Sequence, residues 1–321
     1  MRTPVAPRLA PRYEWGMRIV LPLALLLALA GGALAGDPPA PRKYVQIRGV
    51  YGGVPKRLMT DGHTLAGSGI NAVWIGERGI TKERVAALKK QSAKVFAEFN
   101  TLHRAEYLKG DPDAAPVGTD GKRAPAPEGW QGICPTHVAY RAWRMQAFRT
   151  LLEKHEIDGV WLDYHHAHSS WERALPLLPD TCFCPRCLAA FAKAQDMAPI
   201  SSPGTIGAEL RKKHGAVRKA WIQWRCDVFT DWVREFREIL DDVRPKALLG
   251  TFHCPWTEEE RDGALRAKLA IDLRAQARYL DVFSPMPYHA RFGHAEDPAW
   301  VSRQVAWLGK HLGLKGGEKE R

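Results

Sequence analysis

The 321 residues are 45% hydrophobic and 26% charged, the balance of a globular protein with room for one large domain or two ordinary ones. The formal net charge is +12, of which Arg2, Arg8, Arg12 and Arg18 against Glu14 belong to the first 35 residues. The remaining basic residues are interspersed with acids and form no aromatic-plus-basic module, which excludes nucleic acid as an expected partner.

Arg18 precedes an apolar run from Ile19 to Ala30, followed by Gly31-Gly32-Ala33-Leu34-Ala35. A basic n-region, a short h-region and an A-x-A pattern predict a signal peptide over residues 1–35, cleaved after Ala35. Met17–Ala35 alone already forms a complete signal. The run is short for a membrane span and no cysteine follows it, so no stable membrane anchor is expected after cleavage. The expected location is secreted or periplasmic. Residues 36–43, with Asp37-Pro-Pro-Ala-Pro41, read as a short stiff linker, and residues 44–321 as one domain.

Within that domain short apolar strands alternate with amphipathic helices. Strands are predicted at Tyr44–Tyr51, Asn71–Ile75, Lys94–Phe99, Asp158–Tyr164, Ala247–Phe252 and Asp281–Met286. Helices are predicted at Thr81–Gln91, Thr136–Glu156, from about Cys187, Ile206–Val243, Thr257–Tyr279 and Pro298–Leu312. A long polar loop, Asp111–Trp130, and an irregular stretch, Ala167–Thr181, interrupt the alternation; loops of that length are usually functional or disordered. The alternation predicts an α/β fold with a parallel sheet. No glycine-rich phosphate loop follows the first strand, which weighs against the dinucleotide type of open sheet. Polar residues gather after several strands, which favours a TIM-type (β/α) barrel, where strand ends converge on one mouth. A closed barrel needs eight β/α units and six are visible. The stretch Leu312–Arg321 contains no strand, so an incomplete barrel truncated at its C-terminal end is the expectation, with exposed parallel edges.

The strand Asp158-Gly-Val-Trp-Leu-Asp163-Tyr-His-His166 carries the main chemical signal. Side chains alternate along a strand, so Trp161 and Asp163 share one face and Val160 and Leu162 the other. If the aliphatic face packs on helices, Asp163 points into the barrel at its C-terminal rim, where barrel enzymes carry catalytic carboxylates. Such a group among aromatic and imidazole side chains suits sugar chemistry. Glu98 ends the third strand, and Glu296-Asp297 follow the sixth; each is a candidate second catalytic carboxylate. Glu77, Asn100, Trp161, His165, His166, His168, His253, Tyr288 and His289 complete a candidate substrate-binding rim. Of the twelve tryptophans, Trp143, Trp221, Trp224 and Trp232 fall in helices and read as core. Trp130, Trp171 and Trp256 fall in loops and read as sugar platforms.

Cys182-Phe-Cys184-Pro-Arg-Cys187 is a C-x-C-x-x-C cluster, with Cys134 upstream. Four thiolates suit a closed tetrahedral zinc site; disulfides, the usual state in an exported protein, and free thiols remain alternatives. Cys226 and Cys254 read as plain buried residues.

The segment Cys134-Pro-Thr-His-Val-Ala-Tyr140-Arg, a barrel strand, and then Cys182-Phe-Cys-Pro-Arg-Cys187-Leu-Ala-Ala-Phe191 resembles the family-42 β-galactosidases and related barrel glycosyl hydrolases. The resemblance implies a glycoside hydrolase-like barrel over residues 44–290 and a structural zinc on Cys134, Cys182, Cys184 and Cys187. Two departures stand against a direct transfer. That family ends its fourth strand in an Asn-Glu pair where this chain has Asp163-Tyr164, and its strand-seven nucleophile has no counterpart among the six units. The α-galactosidase and α-fucosidase barrels are similar in another way, since they use an aspartate at the end of strand four as nucleophile, a role Asp163 would fit. The expected function is a secreted glycosidase acting on O-glycosidic bonds of a glycan. The rivals are a non-catalytic carbohydrate-binding or pseudoenzyme barrel and a cysteine-based redox protein.

Overall fold

The computed structural model describes residues 46–314; the predicted signal peptide and linker lie outside them. The elements in chain order are β1 (Gly49–Val50), α1 (Lys56–Thr60), β2 (Ala72–Gly76), α2 (Lys82–Lys90), β3 (Lys94–Asn100), α3 (Tyr107–Gly110), α4 (Val138–Lys154), β4 (Gly159–Asp163), α5 (Pro185–Ala194), α6 (Pro203–Leu210), α7 (Ala216–Val243), β5 (Leu248–His253), α8 (Ala264–Ala267), α9 (Leu273–Gln276), β6 (Val282–Pro285) and α10 (Ala299–His311). The six strands form one parallel sheet in sequence order, β1 to β6. It curls into part of a TIM-type barrel, with β1 and β6 at its two edges.

Alternation along the strands builds two layers. The outward set, including Val73, Val95, Phe99, Val160, Leu162 and Leu249, packs on Phe148 and Leu152 of α4 and Trp232, Phe236 and Leu240 of α7. Fully burying each large apolar side chain contributes roughly 1.5–3 kcal/mol, so this layer is the main source of stability. The inward set is aromatic. Trp74, Phe96 and Trp161 pack with centroids 4.8, 5.2 and 4.6 Å apart and fill the barrel interior. Trp161 Nε1 donates to Ser284 Oγ at 2.9 Å across the sheet. Two strand glycines follow from this filling: a Cβ at Gly49 would lie 2.1 Å from the Trp74 ring, and one at Gly250 2.4 Å from the Trp161 ring.

Three sequence expectations change. The first strand is ladder-paired only at Gly49–Val50. The helix expected over Ile206–Val243 is two, α6 and α7, because the chain turns at Arg211–Gly215 and Gly215 caps α7. The segment 257–279 is a 3-10 turn and two short helices rather than one helix. Gly263 and Ala270 take positive φ there, and Leu265, Leu269, Ile271 and Leu273 turn into a second core with Trp171, Trp256, Phe292 and Trp300. Apolar spacing alone does not separate a long helix from a buried coil. Trp171 and Trp256 are therefore core residues and not platforms, whereas helical Trp143 is 44% exposed.

Candidate functional site

The register of β3 and β4 sets Glu98 opposite Trp161 and Asn100 opposite Asp163, all on the inward face. Asp163 is 5% exposed. Its backbone carbonyl accepts from the Thr101 N–H and hydroxyl at 2.9 and 3.0 Å, which locks the end of the strand. The chain then turns sharply: Tyr164 has φ +50°, and its N–H donates to Asp163 Oδ1 at 2.8 Å. A bulky residue in that conformation costs about 1–3 kcal/mol, and such strain gathers at functional sites.

The Asp163 and Glu98 carboxyl groups neighbour each other at the strand ends, and Glu98 Oε1 accepts from the Tyr51 hydroxyl at 2.8 Å. Burial pushes Asp163 well above the usual carboxylate range, and the neighbouring Glu98 pushes the same way. Neighbouring carboxyl groups oppose ionisation, so burial and its neighbour both favour the protonated form of Asp163. Asp163 lines a cavity of about 730 Å³ together with Tyr51, Trp130, Tyr164, Glu172, Tyr288 and His289, within the range of about 300–1,000 Å³ typical of small-ligand sites. Two neighbouring carboxyl groups under an aromatic rim are an arrangement suited to acid–base chemistry.

The other sequence-predicted residues lie as follows. Tyr288 and His289 line the cavity with Asp163. Trp161 is buried below it, in the aromatic filling. Asn100 Oδ1 accepts the His103 N–H at 3.1 Å, and its carbonyl accepts from Arg144. Glu77 pairs with Arg104 and with the buried Arg144, and Arg144 also lies 3.9 Å above the Phe99 ring centroid; Glu77 therefore ties strand ends to α4.

The four imidazoles at 165, 166, 168 and 253 are buried. His165 meets the Phe229 carbonyl of α7 at 2.9 Å. His166 accepts from the Trp171 indole at 2.9 Å and meets the Ala167 carbonyl with its other nitrogen. His168 accepts the Gly132 N–H and meets the Pro125 carbonyl, clamping the long polar loop. His253 meets the Cys254 carbonyl. Burial pushes His165, His166 and His253 down to about 4, so all three are neutral at pH 7. Their geometry is that of loop anchors; His166 alone also lines a smaller adjoining cavity. Glu296 is exposed, Asp297 pairs with Arg303, and neither lines the cavity at Asp163.

Sequence reasoning missed Tyr51, Tyr164, Glu172 and Arg291. Tyr51 and Tyr164 directly follow the first and fourth strands, and that placement was the available signal. Glu172 and Arg291 pair with each other across 119 residues, which no local pattern displays.

The cysteines form a separate centre. The Sγ atoms of Cys134, Cys182, Cys184 and Cys187 lie within 4.8 Å of one another, all buried, with Cys134 at 3.5 Å from Cys184 and 3.6 Å from Cys187. A disulfide would bring two sulfurs to about 2.05 Å. Four thiolates about 2.3 Å from a tetrahedral ion sit about 3.8 Å apart, close to these separations. The Val117 N–H points at Cys182 Sγ (3.4 Å) and the Cys187 N–H at Cys184 Sγ (3.5 Å), as thiolate ligands require. The donor set and its size fit a closed metal site. It ties the loop before α4 to the start of α5, next to a core of Phe183, Phe191, Trp221 and Trp224.

No protein-family model and no curated protein matches the sequence. Solved structures do match in fold. The PgaB (BpsB) glycoside hydrolase domain from Bordetella bronchiseptica aligns over 76% of this chain and 71% of its own, with a TM-score of 0.57 at 14% identity. Gan42B, a GH42 β-galactosidase from G. stearothermophilus, gives 0.53 at 14% identity over 81% of this chain and 43% of its own. A β-galactosidase from the haloarchaeon Halorubrum lacusprofundi gives 0.52 at 13% identity over 75% and 39%. The chain thus spans less than half the length of these two β-galactosidases. The fold is a glycoside hydrolase-like TIM-type barrel with six of its strands present among the described residues.

Proposed function

We propose that this protein is a glycosidase that hydrolyses O-glycosidic bonds of a glycan, with Asp163 as proton donor and Glu98 as its partner carboxyl. The observation that carries the reading is the buried Asp163 carboxyl beside Glu98 at the barrel's strand ends, facing an aromatic-rimmed cavity. Asp163 delivers its proton to the leaving glycosidic oxygen as the bond to the anomeric carbon breaks. Glu98, held by Tyr51, faces the positive charge that develops on the sugar ring; water bonds to the anomeric carbon, and its released proton returns to Asp163. This sets Asp163 as acid rather than as the nucleophile the α-galactosidase analogy implies, because a protonated carboxyl does not attack. Glu296 and Asp297, which do not line the cavity, have no part in the reading.

The reading also includes a structural zinc on Cys134, Cys182, Cys184 and Cys187, and export by the leader 1–35. The zinc would fix the loops that frame the cleft and take no part in the reaction. Export rests on the sequence pattern alone.

The test is turnover of a panel of aryl glycosides and natural glycans by the wild-type chain, Asp163→Asn and Glu98→Gln. Each substitution is expected to lower kcat by about 10²–10⁴. In the wild type, activity should fall on the alkaline side, as Asp163 loses its proton. Wild-type turnover unchanged in Asp163→Asn would refute the assignment, and glycan binding without any turnover would leave a binding module.

A further inference from the structure

A second cavity, of about 210 Å³, adjoins the one at Asp163. Trp130, Tyr164, Glu172 and Arg291 line both. Glu128, His166 and Ser170 belong to the smaller one alone, brought there by the loops that follow β3 and β4. Its polar groups are held in place. Ser170 Oγ donates to Glu128 Oε2 at 2.7 Å, and Arg173 pairs with the same carboxylate. Arg291 holds Glu172, and His166 is fixed by the Trp171 indole. Glu128 has φ +51°, so both it and Tyr164 line this cavity in the left-handed conformation. Trp130 is 46% exposed, and its ring lies 5.2 Å from that of Tyr164 at a 30° tilt, a wall of two rings shared by the cavities.

We propose that the two cavities are adjacent sugar subsites of one cleft, and that the ligand is an uncharged oligosaccharide occupying both, with Glu128 and Ser170 as specificity residues of the second. Aromatic faces with a few fixed polar groups suit a sugar ring, which presents C–H to the rings and hydroxyls to the carboxylates. The guanidinium groups of Arg173 and Arg291 are each already engaged by a carboxylate, so a uronate or sulfated residue meets acidic groups and no cation left over to pair with it in this lining. The proposal rests on the glycosidase reading only in setting the scissile bond at Asp163.

The test is binding of the labelled full-length Asp163→Asn chain to a printed array of neutral glycans of one to six residues and a matched uronate-containing set, with reducing-end release by the wild type measured separately. Affinity is expected to rise about tenfold from one residue to two, with the uronate set weaker. Glu128→Gln and Ser170→Ala are each expected to lower that two-to-one ratio by about threefold to tenfold, with urea midpoints near wild type. Trp130→Ala should weaken both lengths, and Trp130→Phe should restore them in part. Affinity independent of chain length, a ratio unmoved by both substitutions, preference for uronates, or no binding at all would each overturn the proposal. Length-dependent binding with no release by the wild type would sink the glycosidase reading and leave the subsites standing.

Discussion

Mild acid should unfold this protein through its buried histidines. His165, His166 and His253 are pushed from an ordinary value near 6.5 down to about 4 by burial. As pH falls through that window the unfolded chain takes up protons that the native state refuses. The stability these groups contribute is present above about 6.5 and is lost toward 4. Each displacement corresponds to about 3.4 kcal/mol in full, and between pH 7 and 5 to about 1.8 kcal/mol per histidine, or roughly 5 kcal/mol for the three. Burial also holds His103 well below the usual value, adding loss of the same sign, while Asp163, raised by burial, works in the opposite sense. A loss of about 5 kcal/mol is comparable to the whole stability of a marginal domain, so the acid transition should fall near pH 5. Urea melts followed by tryptophan fluorescence at pH 7, 6 and 5 measure it, with a slope of about 3–4 kcal/mol per pH unit between pH 6 and 5. Replacing His165 with Gln should reduce that slope by about 1.2 kcal/mol per pH unit. A stability flat from pH 7 to 5, or a slope unchanged in His165→Gln, would refute the reasoning.

The cysteine centre should carry one zinc per chain by elemental analysis, and its removal by chelator, or Cys184→Ser, should lower Tm by roughly 5–10 °C; disulfides among these four cysteines in the native protein would contradict it. Gly250→Ala places a methyl group 2.4 Å from the Trp161 ring and should cost about 1–3 kcal/mol by overpacking, read as a lower urea midpoint at unchanged m-value. No loss there would mean that the ring does not pack over the strand as described.

Local rules carried the sequence reading far in places. Strand alternation put Asp163 and Trp161 on one face because the period of two is a property of the backbone itself. The alternation of strands and helices gave the parallel barrel for a similar reason, and the C-x-C-x-x-C spacing marked the metal-sized cluster. Glu98 was recognised as a candidate carboxylate, but so were Glu296 and Asp297. Only the lateral register of β3 on β4 brings Glu98, and not the other two, to Asp163. The histidines show the limit most clearly. Polar residues after a strand read as a binding rim, yet whether such a side chain faces the cavity or anchors a loop depends on which carbonyl or indole packs against it. In the same way Trp143 and Trp171 exchanged their expected roles, since helix membership does not fix exposure. The sequence by itself determined the class of fold, the strand-end position of Asp163 and the four-cysteine layout, all consequences of short-range periodicity and spacing. The tertiary structure alone decided which groups meet: Asp163 beside Glu98, the cavity walls of Tyr51 and Tyr164, and the Glu172–Arg291 pair. Those contacts join residues tens to more than a hundred positions apart, and burial and register, which set them, are properties of the packed chain.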